Sequence, residues 1–163
     1  RIPVISAVNR ICQGGGLCLA MLSDVAVASD RATFRGPELL RGIVDSWYAA
    51  VMPKLIGVAL TRDMMITGRR LSAAEAVQHG LVSRMVPHEE LEAAAMQAAR
   101  EALQSAPEAR EQFKRMVHGD FGVIDEATFF SSLRGAEVRE GMTAFAEKRA
   151  PNWIPEEFRT GRV

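Results

Sequence analysis

Ala7-Val8-Asn9-Arg10-Ile11-Cys12-Gln13-Gly14-Gly15-Gly16-Leu17-Cys18-Leu19-Ala20 is followed by a lone carboxylate at Asp24 and then by Gly36-Pro37-Glu38. The stretch reads as a strand, a triple-glycine turn and a helix starting at Leu17. Three residues without a Cβ let the backbone approach a ligand closely and aim amide N–H groups at it. A helix that begins there adds its positive N-terminal end to the same spot. Together these suit an anion or a developing oxyanion, with Glu38 as the acid or base beside it. The spacing is not that of a dinucleotide fingerprint, and no Lys-Ser or Lys-Thr pair follows as in a phosphate-binding loop. A plain tight turn between strand and helix is the competing reading of the glycines.

Outward from this turn, residues 3–8 are apolar and β-branched, as a buried strand should be. Residues 17–22 have the apolar density of an internal helix, 24–28 read as a second strand and 32–34 as a short third. Strand, helix and strand in this order predict a right-handed βαβ unit. From Ser46 the pattern turns helical: Trp47, Val51, Leu55 and Ile56 share a face that Gly57 ends, and a second helix over 60–66 closes at Thr67-Gly68. Ser72-Ala73-Ala74-Glu75 is a capping box, and Gly80 a C-terminal stop. Residues 81–86 form a strand candidate, followed by helices over 89–103, 107–118, 126–133 and 138–149. The tail, 151–163, has two prolines and little periodicity, and reads as extended over a neighbour or frayed. The chain is therefore α/β, strands first and helices after.

A chain of 163 residues is long enough to bury a core, and 48% hydrophobic with 25% charged residues is a globular balance. Twenty basic residues match twenty acidic ones, which argues against a nucleic-acid surface and sets no large charge barrier to self-association. The two cysteines, Cys12 and Cys18, are too few and too close for a disulfide framework, so a reducing, cytoplasmic home is expected. No apolar run approaches the ~20 residues of a membrane span, so no membrane partner is expected. The chain opens at Arg1 inside a strand, which reads as a fragment or a processed chain.

Ala-Val-Asn, Gly-Gly-Gly, a Leu-Ala-Met helix, Asp24 and Gly-Pro-Glu match, in order and spacing, the central segment of the crotonase superfamily of enoyl-CoA hydratases and isomerases. The resemblance continues through Met52-Pro53-Lys54-Leu55-Ile56-Gly57, the Thr67–Ala76 run "TG-x-x-[IL]-[ST]-A-x-[ED]-A", Gly80-Leu81-Val82, and Glu140-Gly141 with Ala144-Phe145 and Glu147-Lys148-Arg149. It covers nearly the whole chain. It implies a partial crotonase-like ββα spiral core over 1–68 and a mostly helical C-terminal region over 69–163 involved in trimerisation. It further implies an acyl-CoA thioester substrate, no separate cofactor because coenzyme A is part of that substrate, no metal, and a homotrimer or dimer of trimers. Gly15 falls on the glycine whose N–H serves the thioester oxyanion hole, flanked by Gly14 and Gly16. The second oxyanion donor belongs to the family's N-terminal segment. Phe145 and Lys148 resemble positions where the C-terminal helix touches the coenzyme A of a neighbouring subunit; a basic residue there also offsets the helix dipole.

Members that hydrate enoyl thioesters carry glutamates at the Cys18 and Glu38 positions. Glu38 is present; Cys18 departs from the pattern. Hydration needs one group to hold and deprotonate water and another to protonate the α-carbon, and a thiol accepts hydrogen bonds weakly. A 1,3-proton shift needs only one carboxylate and an oxyanion hole. A Δ3,Δ2-enoyl-CoA isomerase with Glu38 as shuttle is therefore the first expectation. An enoyl-CoA hydratase, in which Cys18 is tolerated or another carboxylate compensates for it, is the alternative, and a truncated, non-catalytic member is the reading from another class. Cys18 also reads as a space filler or, at a helix N-terminus, as a nucleophile. Asp45 reads either as the N-cap of the Trp47 helix or as the extra aspartate of dienoyl isomerases. Asp24 reads as a structural tie. Trp47, Tyr48 and Met52 are candidates for the acyl pocket or the core.

Overall fold

The computed structural model describes residues 2–119, 122 and 124–159. Strand β1 (Ile5–Val8) stops at Asn9, and the chain turns at Arg10 into a second strand, β2 (Ile11–Gln13), before the glycines. Helix α1 (Gly15–Leu22) returns the chain to β3 (Val25–Ser29), and β4 (Thr33–Arg35) follows after a tight turn. β3 lies parallel beside β1, Ile5 opposite Val25, whereas β4 lies parallel beside β2, Cys12 opposite Phe34. Each pass of the chain thus adds one strand to each of two sheets, which is a ββα spiral.

β5 (Leu71–Ser72) closes the second sheet antiparallel to β4, and β6 (Arg84–Val86) extends the first parallel to β3. Strands from beyond residue 68 therefore complete both sheets. The single strand expected over 3–8 is shorter at its start: β1 begins only at Ile5, and Val4 donates its N–H to Asp24. β2 was not expected, because three residues alternating exposed, buried and half-buried carry no readable period. The 81–86 candidate pairs only from Arg84.

Helices α2 (Ser46–Ile56) and α3 (Val58–Thr67) pack on α1 and on the second sheet. Leu17, Phe34, Tyr48, Val51, Met52, Met64 and Leu71 fill this core and are almost fully buried. Helix α4 (Ala73–Gln78) starts at the expected capping box: Ser72 Oγ accepts from Glu75 N–H at 3.2 Å, and Glu75 accepts from Ser72 N–H at 2.9 Å. Helix α5 (Leu91–Ala102) covers the other side of the first sheet, where Leu91 and Ala98 meet Val27.

Helices α6 (Pro107–Gly119), α7 (Glu126–Ser132) and α8 (Ala136–Glu147) complete the C-terminal region. α6 is tied to the strands through Asp24, which accepts from Lys114 Nζ at 2.6 Å and from Val4 N–H at 2.7 Å. This is the structural role expected of Asp24. α8 lies directly on the 3-10 turn Leu39–Arg41, because a Cβ on Gly141 would stand 2.4 Å from the Arg41 carbonyl oxygen. The tail, expected to be extended over a neighbour or frayed, is held as far as it is described: Arg149 pairs with Glu140, Asn152 N–H donates to Glu140 at 2.8 Å, and Pro151 is buried.

Candidate active site

Helix α1 begins one residue after Gly14, whose φ of +60° is open to glycine but strained for other residues. The Gly14 carbonyl accepts from Leu17 N–H at 2.9 Å and Cys18 N–H at 3.2 Å, closing the first turn. The N–H groups of Gly15 and Gly16 come too early in the helix to have an acceptor within it. Both residues are exposed, and the first turn of α1 has neither an acidic side chain nor a side-chain cap of its own. An open recess of about 420 Å³ adjoins them, lined by Asn9, Arg10, Ile11, Cys12, Gly16 and Leu19 among others.

Gly36-Pro37 carries the chain from β4 to Glu38, which is only 7% exposed. A Cβ on Gly36 would run into Met65 Sδ, so a larger residue there would have to push the Met65 side chain aside. The carboxyl lies against the glycine turn: a Cβ on Gly14 would stand 3.7 Å from Glu38 Oε1. Oε1 is 3.2 Å from the Tyr48 hydroxyl, while Oε2 is buried with no hydrogen-bond partner among the described residues. Burial pushes the Glu38 carboxyl above its ordinary range and outweighs the opposing backbone and Tyr48 hydrogen bonds. A buried carboxyl with one free oxygen and a raised pKa is suited to taking and returning a proton.

Asp45 is the N-cap that one of its two readings expected. Its Oδ1 accepts from Trp47 N–H at 2.9 Å and Tyr48 N–H at 3.1 Å, the N-cap of α2. Its Oδ2 faces inward and is 3.9 Å from Cys18 Sγ. The position where family hydratases carry a second glutamate is therefore occupied by a thiol with a carboxylate behind it, supplied from another element. Burial first, and then the charge of Asp45, push the Cys18 thiol up to about 12. Both effects work against the nucleophile reading of Cys18, since they oppose the lowering that a helix N-terminus gives a thiol pKa.

Tyr48 joins these groups and was not singled out as a polar member of the site. Its hydroxyl is 2.8 Å from the Gly14 carbonyl oxygen and 3.2 Å from Glu38 Oε1. The signal was available: Tyr48 is the chain's only tyrosine, one turn beyond Asp45, and a buried tyrosine needs a partner for its hydroxyl. Met52 and Trp47 belong to the core instead. Beside Asp45 and Tyr48 a largely apolar recess of about 270 Å³ runs between α2 and α3, with Val44, Ala49, Met65 and Ile66 in its walls.

Gly14, Gly15, Gly16, Cys18, Glu38 and Asp45 thus come together around Tyr48. Phe145 and Lys148 do not join them. The Phe145 ring lies under the Arg41 guanidinium, 4.4 Å from it, and Lys148 caps α8 with φ +59°. Among the described residues no group of three His, Cys, Asp or Glu side chains converges as a metal site would require.

The sequence model of the family described as Enoyl-CoA hydratase/isomerase matches residues 1–156. A carnitinyl-CoA dehydratase of Salmonella arizonae is 39% identical over an alignment covering 93% of this chain and 62% of that protein. Its counterpart in Salmonella typhi is 38% identical with the same coverage. Among solved structures, an enoyl-CoA hydratase/isomerase from Pseudoalteromonas atlantica superposes with a TM-score of 0.84 at 32% identity, covering 93% of this chain and 64% of that one. A carnitinyl-CoA hydratase from Mycobacterium avium superposes with a TM-score of 0.81, also at 32% identity, over 93% of this chain and 62% of that one. The chain spans about three-fifths of the length of these relatives. With the ββα spiral, the glycine turn and the buried glutamate in the order the family requires, this chain belongs to the enoyl-CoA hydratase/isomerase family.

Proposed function

We propose that this protein adds water to, and removes it from, the Cα–Cβ bond of an acyl-CoA thioester. The observation that carries the reading is the second carboxylate: Asp45 stands 3.9 Å behind Cys18, on the side of the site where a lone glutamate would leave water unheld. The sequence alone favoured isomerisation because Cys18 replaces a glutamate, and Asp45 supplies the missing acceptor from α2. The names of the relatives, carnitinyl-CoA dehydratases and a carnitinyl-CoA hydratase, point to the same class.

In the dehydration direction Glu38 takes the α-proton on its unpartnered Oε2. The C–H electrons pass into an enolate, and Gly15 N–H steadies the charge on the thioester oxygen. Glu38 then delivers that proton to the departing β-hydroxyl, held from the Asp45–Cys18 side, so that the 2-enoyl thioester and water form and Glu38 is again ionised. Addition of water runs the same steps in reverse. Coenzyme A enters only as part of the substrate, and the apolar recess beside Tyr48 takes the acyl chain. Association into a trimer belongs to this reading, with exposed Met142 and Phe145 as apolar surface for it.

A second reading, the Δ3,Δ2-enoyl-CoA isomerase, is favoured by Cys18 itself, since one carboxylate suffices for a 1,3-proton shift. Hydration of 2-enoyl-CoA and isomerisation of 3-enoyl-CoA, followed with Glu38→Gln, Asp45→Asn and Asp45→Ala, separate the two. Hydration is expected to fall by about 10²–10⁴-fold in all three. Asp45→Asn should keep the α2 cap, whereas Asp45→Ala should also cost about 1 kcal/mol of stability. Isomerisation that survives both Asp45 changes and disappears in Glu38→Gln would decide for the single-carboxylate mechanism.

A further inference from the structure

The Tyr48 hydroxyl has one proton and two oxygen acceptors, the Gly14 carbonyl at 2.8 Å and Glu38 Oε1 at 3.2 Å. It can donate to only one of them at a time. The choice depends on Glu38. An ionised carboxylate is the stronger acceptor and draws the hydroxyl proton to Oε1. Once Oε2 has taken a proton, Oε1 becomes the carbonyl oxygen of a neutral acid, and the Gly14 oxygen, already the nearer partner, receives the bond.

The Gly14 carbonyl and the Gly15 N–H are two ends of one conjugated peptide group. A hydrogen bond accepted at the oxygen polarises the group and makes its N–H a stronger donor. The Gly14 carbonyl already accepts from Leu17 N–H and Cys18 N–H, so Tyr48 adds a third donor to a polarised peptide. We propose that Tyr48 is a positioning residue that strengthens the Gly15 N–H when, and only when, Glu38 carries the proton taken from the substrate. This rests on the reading of Gly15 as the oxyanion donor given above.

The timing favours catalysis. Proton transfer to Glu38 and charge build-up on the thioester oxygen occur in the same step, so the extra donation is made in the transition state and not in the ground state. No bond to Tyr48 breaks; its proton only turns about the C–O bond. Burial and the neighbouring Glu38 push the Tyr48 hydroxyl far above its ordinary range, so it stays protonated throughout. The other groups that face Glu38 are Arg41 from its own turn, Asp45 from the cap of α2 and Cys18 from α1. α3 presents the neutral Met65.

Tyr48→Phe keeps the buried ring and removes only the hydroxyl. Its thermal midpoint is compared with the native protein first. On a 2-enoyl-CoA substrate, kcat is expected to fall about tenfold with KM within twofold. The acid limb of the kcat profile should move to higher pH, because ionised Glu38 loses a donor. The direct readout is the infrared stretch of a ¹³C-labelled thioester carbonyl in bound 2-enoyl-CoA. In the native protein the band should move to lower frequency as pH falls through the Glu38 titration, and in Tyr48→Phe it should stay in place. A native band that does not move with pH overturns the inference without reference to any variant. Unchanged kcat and an unchanged acid limb in Tyr48→Phe, with native turnover intact, overturn it alone. Failure of the native protein to bind 2-enoyl-CoA overturns the proposed function and this inference together.

Discussion

Glu38 carries a conflict that the fold does not relieve. It is 7% exposed, and its Oε2 has no partner among the described residues, so its charged form is penalised in the folded state. Glu38→Gln should therefore stabilise the protein at neutral pH by about 1 kcal/mol while abolishing turnover. The sign follows from the raised carboxyl. Below the ordinary value of 4.5 the group is neutral in the folded and unfolded chain alike, and the penalty is absent. As pH rises through the folded pKa the penalty grows to its full size. The advantage of the glutamine variant should thus fade in denaturant titrations as pH is lowered towards 4.5. An advantage that persists at low pH would show that the gain has another origin. At this scale the sequence was legible in its types and not in its pairings. Glu38, the glycines and the N-cap role of Asp45 could be read from spacing. That Asp45 reaches Cys18 could not, because the two stand on different helices, 27 positions apart.

Elements fixed by local chemistry were read well. The capping box at Ser72 and the stop at Gly57 depend on residues within one turn, and both occur where expected. β2 and β5, three and two residues long, exist only because β4 lies between them, and such pairing leaves no local pattern. The docking of α8 has the same non-local character. An alanine inside a helix is ordinarily better than glycine by about 1 kcal/mol. At position 141 the sign should reverse, since the added Cβ would stand 2.4 Å from a backbone oxygen of the turn that follows Glu38. Gly141→Ala is expected to cost about 2–3 kcal/mol and to speed amide hydrogen exchange in α8 and residues 39–42. Exchange unchanged in that turn would mean that α8 does not hold it.

The whole molecule is two small sheets strung on one spiral, with helices closing the outside. An α/β character with helices last was legible from composition and periodicity. The division of four strands between two sheets was not, because it turns on the two residues, Asn9 and Arg10, that separate β1 from β2. Long-range ties then set the assembly: Asp24 holds Lys114, and the turn of Arg41 waits on Gly141. This last tie bears on how the protein is made. Position 141 leaves the ribosome 100 residues after position 41, which at ~5–20 residues per second is a delay of roughly 5–20 s. During that interval the segment beyond Glu38 is a nascent chain without its cover, open to chaperones and proteases. Nascent chains stalled before Ala136 emerges should be cut within residues 39–44, and those stalled well past Arg149 should be protected. The proton-carrying carboxyl would then mature only once α8 has emerged, long after its own residue has been translated.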